Sequence, residues 1–111
     1  MKQYCVRPDA SLIECIRTMD IAGTGIVLAV DSEGRLIGTI SDGDIRRSLL
    51  QGYHLDSPVF PHINRNCFYV LPTVQRVEVL DIMQARRFKQ VPVVDEQGKV
   101  VGLHLLHDLL G

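Results

Sequence analysis

Tryptophan is absent from this 111-residue sequence, and only three tyrosines and three phenylalanines are present. So few aromatic rings argue against a base-stacking platform for single-stranded nucleic acid. An excess of charge of either sign is also missing: 12 basic residues face 13 acidic ones, for a net charge of −1. That balance argues against a general nucleic-acid surface. Cysteine is scarce and odd in number. Cys5, Cys15 and Cys67 share no metal-ligand spacing and read as buried thiols of a reducing compartment. No apolar run approaches the roughly 20 residues of a membrane-spanning helix. Met1 to Arg7 lacks the charged-then-apolar layout of a secretion signal. The expectation is a cytoplasmic protein with no membrane or nucleic-acid partner.

Catalytic and metal-binding signatures are missing as well. The four histidines, His54, His62, His104 and His107, have no metal-ligand layout. His104 and His107 are three apart, but the first is predicted on a strand and the second near a helix start, and no cysteine or carboxylate completes a shell. Gly23-Thr24-Gly25 lacks the third glycine and the βαβ setting of a dinucleotide fingerprint. No nucleophile–base pair is visible, and nothing about the neighbouring acids Asp42 and Asp44 suggests paired acid–base work. On this reading the segment is not an enzyme by itself and requires no cofactor.

What the sequence does contain is a repeat. A shift of 64 residues takes Val6 to Val70, Pro8 to Pro72, Glu14 to Glu78, Met19 to Met83, Val27 to Val91 and Asp31 to Asp95. The same shift takes Gly34 to Gly98, Gly38 to Gly102 and Asp44 to Asp108 without a gap. Such self-similarity implies two copies of one supersecondary unit. Two copies are too few for a solenoid, so the expectation is an α+β pseudo-dimer packed about a pseudo-two-fold axis, with clefts at its seam suited to ligands. The apolar fraction of 46% is enough for a real core.

Each copy reads as strand–helix–strand–strand–helix. In the first, Tyr4 to Val6 is extended and Pro8 stops it. Ser11 and Glu14 have capping-box spacing. Leu12, Ile13, Cys15, Ile16 and Met19 form a helical face, and Gly23 and Gly25 end that helix. Ile26 to Val30 and Leu36 to Ile40 form a hairpin about Asp31-Ser32-Glu33-Gly34. Ser41-Asp42 then caps a helix carrying Ile45, Leu49 and Leu50. In the second copy Phe68 to Leu71 is extended, and Val74 to Arg87 is helical with Val77, Leu80, Ile82 and Met83 apolar. Gln90 to Val94 and Val100 to His104 form the hairpin, and Leu106 to Leu110 begins a closing helix. Gln51 to Asn66 is expected to be a linker with a short helix or turn near Val59 to Ile63. The division expected is 1–57 for the first copy with the start of the linker and 58–111 for the second, whose last helix looks cut from a longer protein.

These residues resemble a cystathionine-β-synthase-type (CBS) domain pair, also called a Bateman module. The resemblance rests on Ile26-Val27-Leu28-Ala29-Val30-Asp31, Gly34 and Gly38-Thr39-Ile40-Ser41-Asp42-Gly43-Asp44. It recurs in Val91-Pro92-Val93-Val94-Asp95, Gly98 and Gly102-Leu103-His104-Leu105-Leu106-His107-Asp108. Thr39 to Gly52 further resembles the CBS pairs attached to sugar-phosphate nucleotidyltransferases, and Asp-Gly-Asp-Ile-Arg-Arg also occurs in those of arabinose-5-phosphate isomerases.

The resemblance implies a regulatory module that binds an adenosine-type nucleotide such as AMP, ADP or ATP. It would control a covalently attached C-terminal catalytic domain, a nucleotidyltransferase or a sugar-phosphate isomerase, and form a homodimer. Ser41 would meet phosphate and Asp44 the ribose hydroxyls. A carboxylate accepts two hydrogen bonds from a cis-diol, and a helix start offers free amides to an anion. Ser41 as a plain helix cap and Asp44 as a first-turn acid fit equally well. Arg46 and Arg47 could clamp phosphates or line a solvated face, and Thr24 could add a hydroxyl or simply turn the chain. Backbone near Cys5 to Pro8 and Gly23 to Val27 would line the first cleft. In the second copy Leu105 replaces Ser41, while Asp108 persists with His104 and His107 nearby as potential donors. The competing reading is a dimerisation or docking scaffold that has lost its ligand.

Overall fold

The computed structural model describes residues 1–111 and divides into two compact units, Met1–Cys67 and Phe68–Gly111. In chain order the first unit contains β1 (Cys5–Val6), α1 (Leu12–Ala22), β2 (Ile26–Val30), β3 (Leu36–Ser41), α2 (Asp42–Leu50) and a 3₁₀ turn at Phe60–His62. The second contains α3 (Arg76–Arg86), β4 (Gln90–Val94), β5 (Val100–Leu105) and α4 (Leu106–Leu110). The α+β class and the doubled element order expected from the sequence are both present.

The 64-residue repeat extends to strand register. In the first unit β1 runs parallel to β2 with Val6 opposite Ala29. In the second, the first strand shrinks to a single parallel bridge between Val70 and Val93, the same pair shifted by 64. Both hairpins are antiparallel, and their registers slip at equivalent points, Ala29/Val30 and Val93/Val94. The two turns are also clamped alike. Asp31 Oδ1 accepts the Glu33 and Arg35 amides at 2.9 Å each, and Asp95 Oδ1 accepts those of Gln97 and Lys99 at 2.9 Å each. A short acidic side chain can satisfy a turn's amides in this way, so the aspartate ending each apolar run is a turn device.

The core of the first unit packs Leu12, Cys15 and Met19 of α1 against Val27, Ala29, Ile40 and Ile45. The start of α1 carries the expected capping box: the Glu14 amide donates to Ser11 Oγ at 3.2 Å, and Glu14 Oε1 accepts the Ser11 amide at 3.5 Å. The remaining early amides of the helix find partners in the linker. Leu12 donates to the Ser57 carbonyl at 2.9 Å and Ile13 to that of Leu55 at 2.8 Å. This closes the account of unsatisfied donors at a helix N-terminus. Gly23 ends α1 in the left-handed region at φ 69° and returns its amide to the Met19 carbonyl.

The structure adds detail to the sequence reading in three places. First, residues 58–67, placed with the second copy in the expected division, pack with the compact first unit. Val59 and Ile63 are buried in its core, and Asn64 exchanges backbone hydrogen bonds with Thr39 at 3.1 and 2.9 Å. The linker thus adds an edge to β3 and covers apolar surface. The expected turn near Val59 to Ile63 is the 3₁₀ turn Phe60–His62. Second, α2 buries Ile45 and Ser48, whereas Leu49 and Leu50 are exposed. Ser48 is tolerated inside because its hydroxyl donates to the Asp44 carbonyl at 2.9 Å. Third, α3 starts at Arg76, two residues later than expected, and buries Val79 and Met83 while Val77 faces solvent. Val79 and Met83 stand four apart and share a face, and Val77 points away from it. Arg87, the counterpart of Gly23, caps α3 at φ 59° with the left-handed geometry of the glycine and none of its freedom.

Candidate functional site

The residues expected to bind ligand in the first copy meet at the start of α2. Ser41, the last residue of β3, is its N-cap. Its hydroxyl accepts the Asp44 amide at 3.1 Å, while Asp44 Oδ2 accepts the Ser41 amide at 2.9 Å. This is a second capping box, with aspartate in the position usually held by glutamate. The other carboxylate oxygen of Asp44, Oδ1, accepts Arg47 Nη2 at 2.7 Å. Arg46 Nη1 reaches Asp42 Oδ2 at 3.2 Å across one turn. The Asp44 side chain is 27% exposed and that of Arg47 66%, so the pair sits at the surface. Exposed pairs of this kind contribute about 0.2–1 kcal/mol to stability; their interest is chemical.

Thr24 lies beside this turn because β2 and β3 are paired with Ile26 opposite Ser41. The Asp42 amide donates to the Gly25 carbonyl at 3.2 Å, tying the 23–25 turn to α2. The Thr24 side chain itself is buried and donates to the Ile26 carbonyl at 2.6 Å, so its proton faces the protein. The two backbone segments expected to line one cleft border separate hollows. Gly23 and Gly25, with Ile16, Met19, Asp20 and Asp42, line one of about 380 Å³. Cys5, Val6 and Arg7, with Asp9 and Glu14 among others, line one of about 350 Å³.

The second copy is built differently at the equivalent point. Leu105 is the N-cap of α4 and supplies no side-chain hydrogen bond. The Asp108 carboxylate lies 3.3 Å from His107 Nε2, with both side chains largely exposed. The Asp108 carbonyl accepts Arg76 Nη2 at 3.4 Å. Burial, and then the nearby Arg76 guanidinium, hold the His104 imidazole below its ordinary range. Both effects favour the neutral imidazole over the cation. Arg76 was not singled out in the sequence because it has no basic counterpart 64 residues earlier, where Leu12 stands. The Asp42–Arg46 tie was legible as an i,i+4 pair.

The thiols carry no activated chemistry. Burial raises all three, Cys15 to about 11, so none is a ready nucleophile at neutral pH. No group of three or more histidine, cysteine, aspartate or glutamate side chains is placed to hold a metal ion. No helix is long and apolar enough to cross a membrane.

A family model of the CBS domain matches residues 1–51 and 60–111. The chain belongs to the CBS domain family, and its two copies form a CBS pair, a regulatory module. Among curated proteins it is similar to arabinose 5-phosphate isomerase GutQ of Escherichia coli (strain K12), with 29% identity over 99 residues, 89% of this chain and 31% of that protein. The chain spans 65% of a relative from Acidianus ambivalens and 32% of one from Rickettsia prowazekii. Among solved structures it is similar to the cytosolic domain of the Mg²⁺ channel MgtE in complex with ATP: TM-score 0.80, 28% identity, 97% of this chain and 44% of that one. The CBS domain protein PAE2072 from Pyrobaculum aerophilum, complexed with AMP, shares the fold at TM-score 0.82 and 24% identity, over 94% of this chain and 80% of that one.

Proposed function

We propose that this CBS pair senses an adenine nucleotide through the first turn of α2 and passes its state to an attached sugar-phosphate enzyme. The observation that carries the reading is the side-by-side placement of the Ser41 hydroxyl and the Asp44 carboxylate at the start of a nine-residue helix. A cis-diol suits the carboxylate, and a phosphate suits the helix start with its hydroxyl. AMP and ATP in two proteins of this fold support the ligand class. Asp108 remains available for a second ribose, but Leu105 gives that copy no hydroxyl, so the first copy is the principal site. Arg46 stands one turn along and supplies phosphate contacts. Thr24 shapes the adjoining turn through its hydroxyl, which donates to the Ile26 carbonyl.

The attached domain is proposed from the relatives. The isomerase GutQ favours a sugar-phosphate isomerase, and the Thr39 to Gly52 segment keeps a sugar-phosphate nucleotidyltransferase as the other arm. A ligand controls such a domain only through different affinities for two arrangements of the module. Exposed Ile21 and Leu50, at 80% and 82%, suit the proposed homodimer, which sedimentation at increasing concentration would reveal.

The test is a thermal-shift titration with AMP, ADP, ATP and S-adenosylmethionine on the wild type and on Asp44→Asn, each compared with its own ligand-free melt. A ligand at about 100 times its Kd stabilises the fold by roughly 2.7 kcal/mol, a rise of several degrees. The expected outcome is a rise that Asp44→Asn loses. A folded wild type that responds to none of the four would replace this reading with that of a ligand-free scaffold.

A further inference from the structure

Asp44 is already engaged on both oxygens. Its Oδ2 accepts the Ser41 amide and its Oδ1 accepts Arg47 at 2.7 Å, and its side chain is 27% exposed. A vicinal diol that takes both oxygens competes with the guanidinium for Oδ1. Displacement leaves Arg47 to water, because Asp42, the neighbouring acid, already holds Arg46 at 3.2 Å. A neutral nucleoside offers the released cation nothing. A nucleotide carries its own replacement anion a few bonds from the diol.

Gly43 places the two cations together. A β-carbon at this position would stand 3.3 Å from Arg47 Nη1 and 3.7 Å from Arg46 Nη2. Both guanidiniums therefore fold back across the same turn, over a residue with no side chain to keep them off. Two guanidiniums converging on one spot make a phosphate receptor once either is freed from its aspartate.

We propose that the Asp44–Arg47 ion pair is a lock on the nucleotide site, and that Arg47 makes the site demand a phosphate by blocking Asp44 until a phosphate rehouses its guanidinium. This rests on the reading that Asp44 takes the ribose. Arg47 is then a specificity-determining residue whose removal has opposite effects on two ligands. A residue that merely touched phosphate would weaken the nucleotide and leave the nucleoside unchanged.

Calorimetric titrations with adenosine and AMP on the wild type, Arg47→Ala and Arg46→Ala test the lock. The wild type should favour AMP over adenosine. Arg47→Ala should tighten adenosine by about three- to five-fold, the effect of releasing one exposed ion pair, and weaken AMP by roughly ten-fold through the lost charge-assisted bonds. Arg46→Ala, which leaves Asp44 engaged, should weaken AMP without tightening adenosine. Adenosine binding that is unchanged or weaker in Arg47→Ala, beside AMP binding by the wild type, would overturn the lock and leave the nucleotide reading standing. A wild type that binds neither ligand would overturn both.

Discussion

Gly38 and Gly102 are equivalent by the 64-residue repeat, yet the structure assigns them opposite sensitivities. A β-carbon on Gly38 would overlap the Asn64 carbonyl and lie 2.6 Å from Ile63 Cγ2. A β-carbon on Gly102 would meet only Val93, at an ordinary 3.6 Å. Gly38→Ala must therefore push the linker off β3. Overpacking of this kind costs about 1–3 kcal/mol. Straining the reciprocal Thr39–Asn64 hydrogen bonds adds about 1 kcal/mol for each bond lost. Against this, alanine restricts the unfolded chain and returns roughly 0.4–1 kcal/mol. The net expectation is a destabilisation of about 2–3 kcal/mol, lowering Tm by roughly 10 °C in a chain of this size. Gly102→Ala feels only the unfolded-chain term and should leave Tm unchanged or raise it by a few degrees. Scanning calorimetry of both variants, with urea midpoints as a second measure, provides the comparison. Equal losses at the two positions would refute the argument that linker packing, rather than the hairpin shared by both copies, requires the glycine.

Two further outcomes follow from the structure, beside the Asp44 and Arg47 experiments. Arg87→Gly relieves about 1–2 kcal/mol of left-handed strain and loses about 0.4–1 kcal/mol to the freer unfolded chain, so Tm should rise by no more than a few degrees; a lowered Tm would mean that Arg87 is not strained at its φ of 59°. Burial lifts Cys15 from 9.0 to about 11, so the folded state holds the proton longer than the unfolded chain does. Stability from this group is complete below pH 9 and is lost as pH rises towards about 11. Urea midpoints across that interval should fall more steeply in the wild type than in Cys15→Ala, and parallel slopes would show that the thiol does not contribute.

The sequence by itself determined the repeat and, through it, most of the architecture. An offset of 64 fixes equivalent strands, turns and helices because local signals recur with it: an acid to clamp each hairpin turn, a proline to break each first strand, and an apolar run between. The capping box at Ser11 and the helix cap at Ser41 were legible for the same reason, since they depend on residues only a few positions apart. Helix faces were less legible. Leu49, Leu50 and Val77 have the composition of core residues, but which face is buried depends on what packs against it, so Ser48 and Val79 took the buried places. The packing of the linker was no more legible. Nothing local says that Val59 and Ile63 complete the core of the first unit or that the Leu55 and Ser57 carbonyls take the first helix's amides, because those partners are distant in the chain. At the site, the sequence could place Ser41, Asp44, Arg46 and Arg47 on one turn. The Asp42–Arg46 tie follows from i,i+4 spacing, but only the three-dimensional structure decided that Asp44 holds Arg47. This second pairing depends on rotamers and on the open space over Gly43, and neither is written in residue spacing.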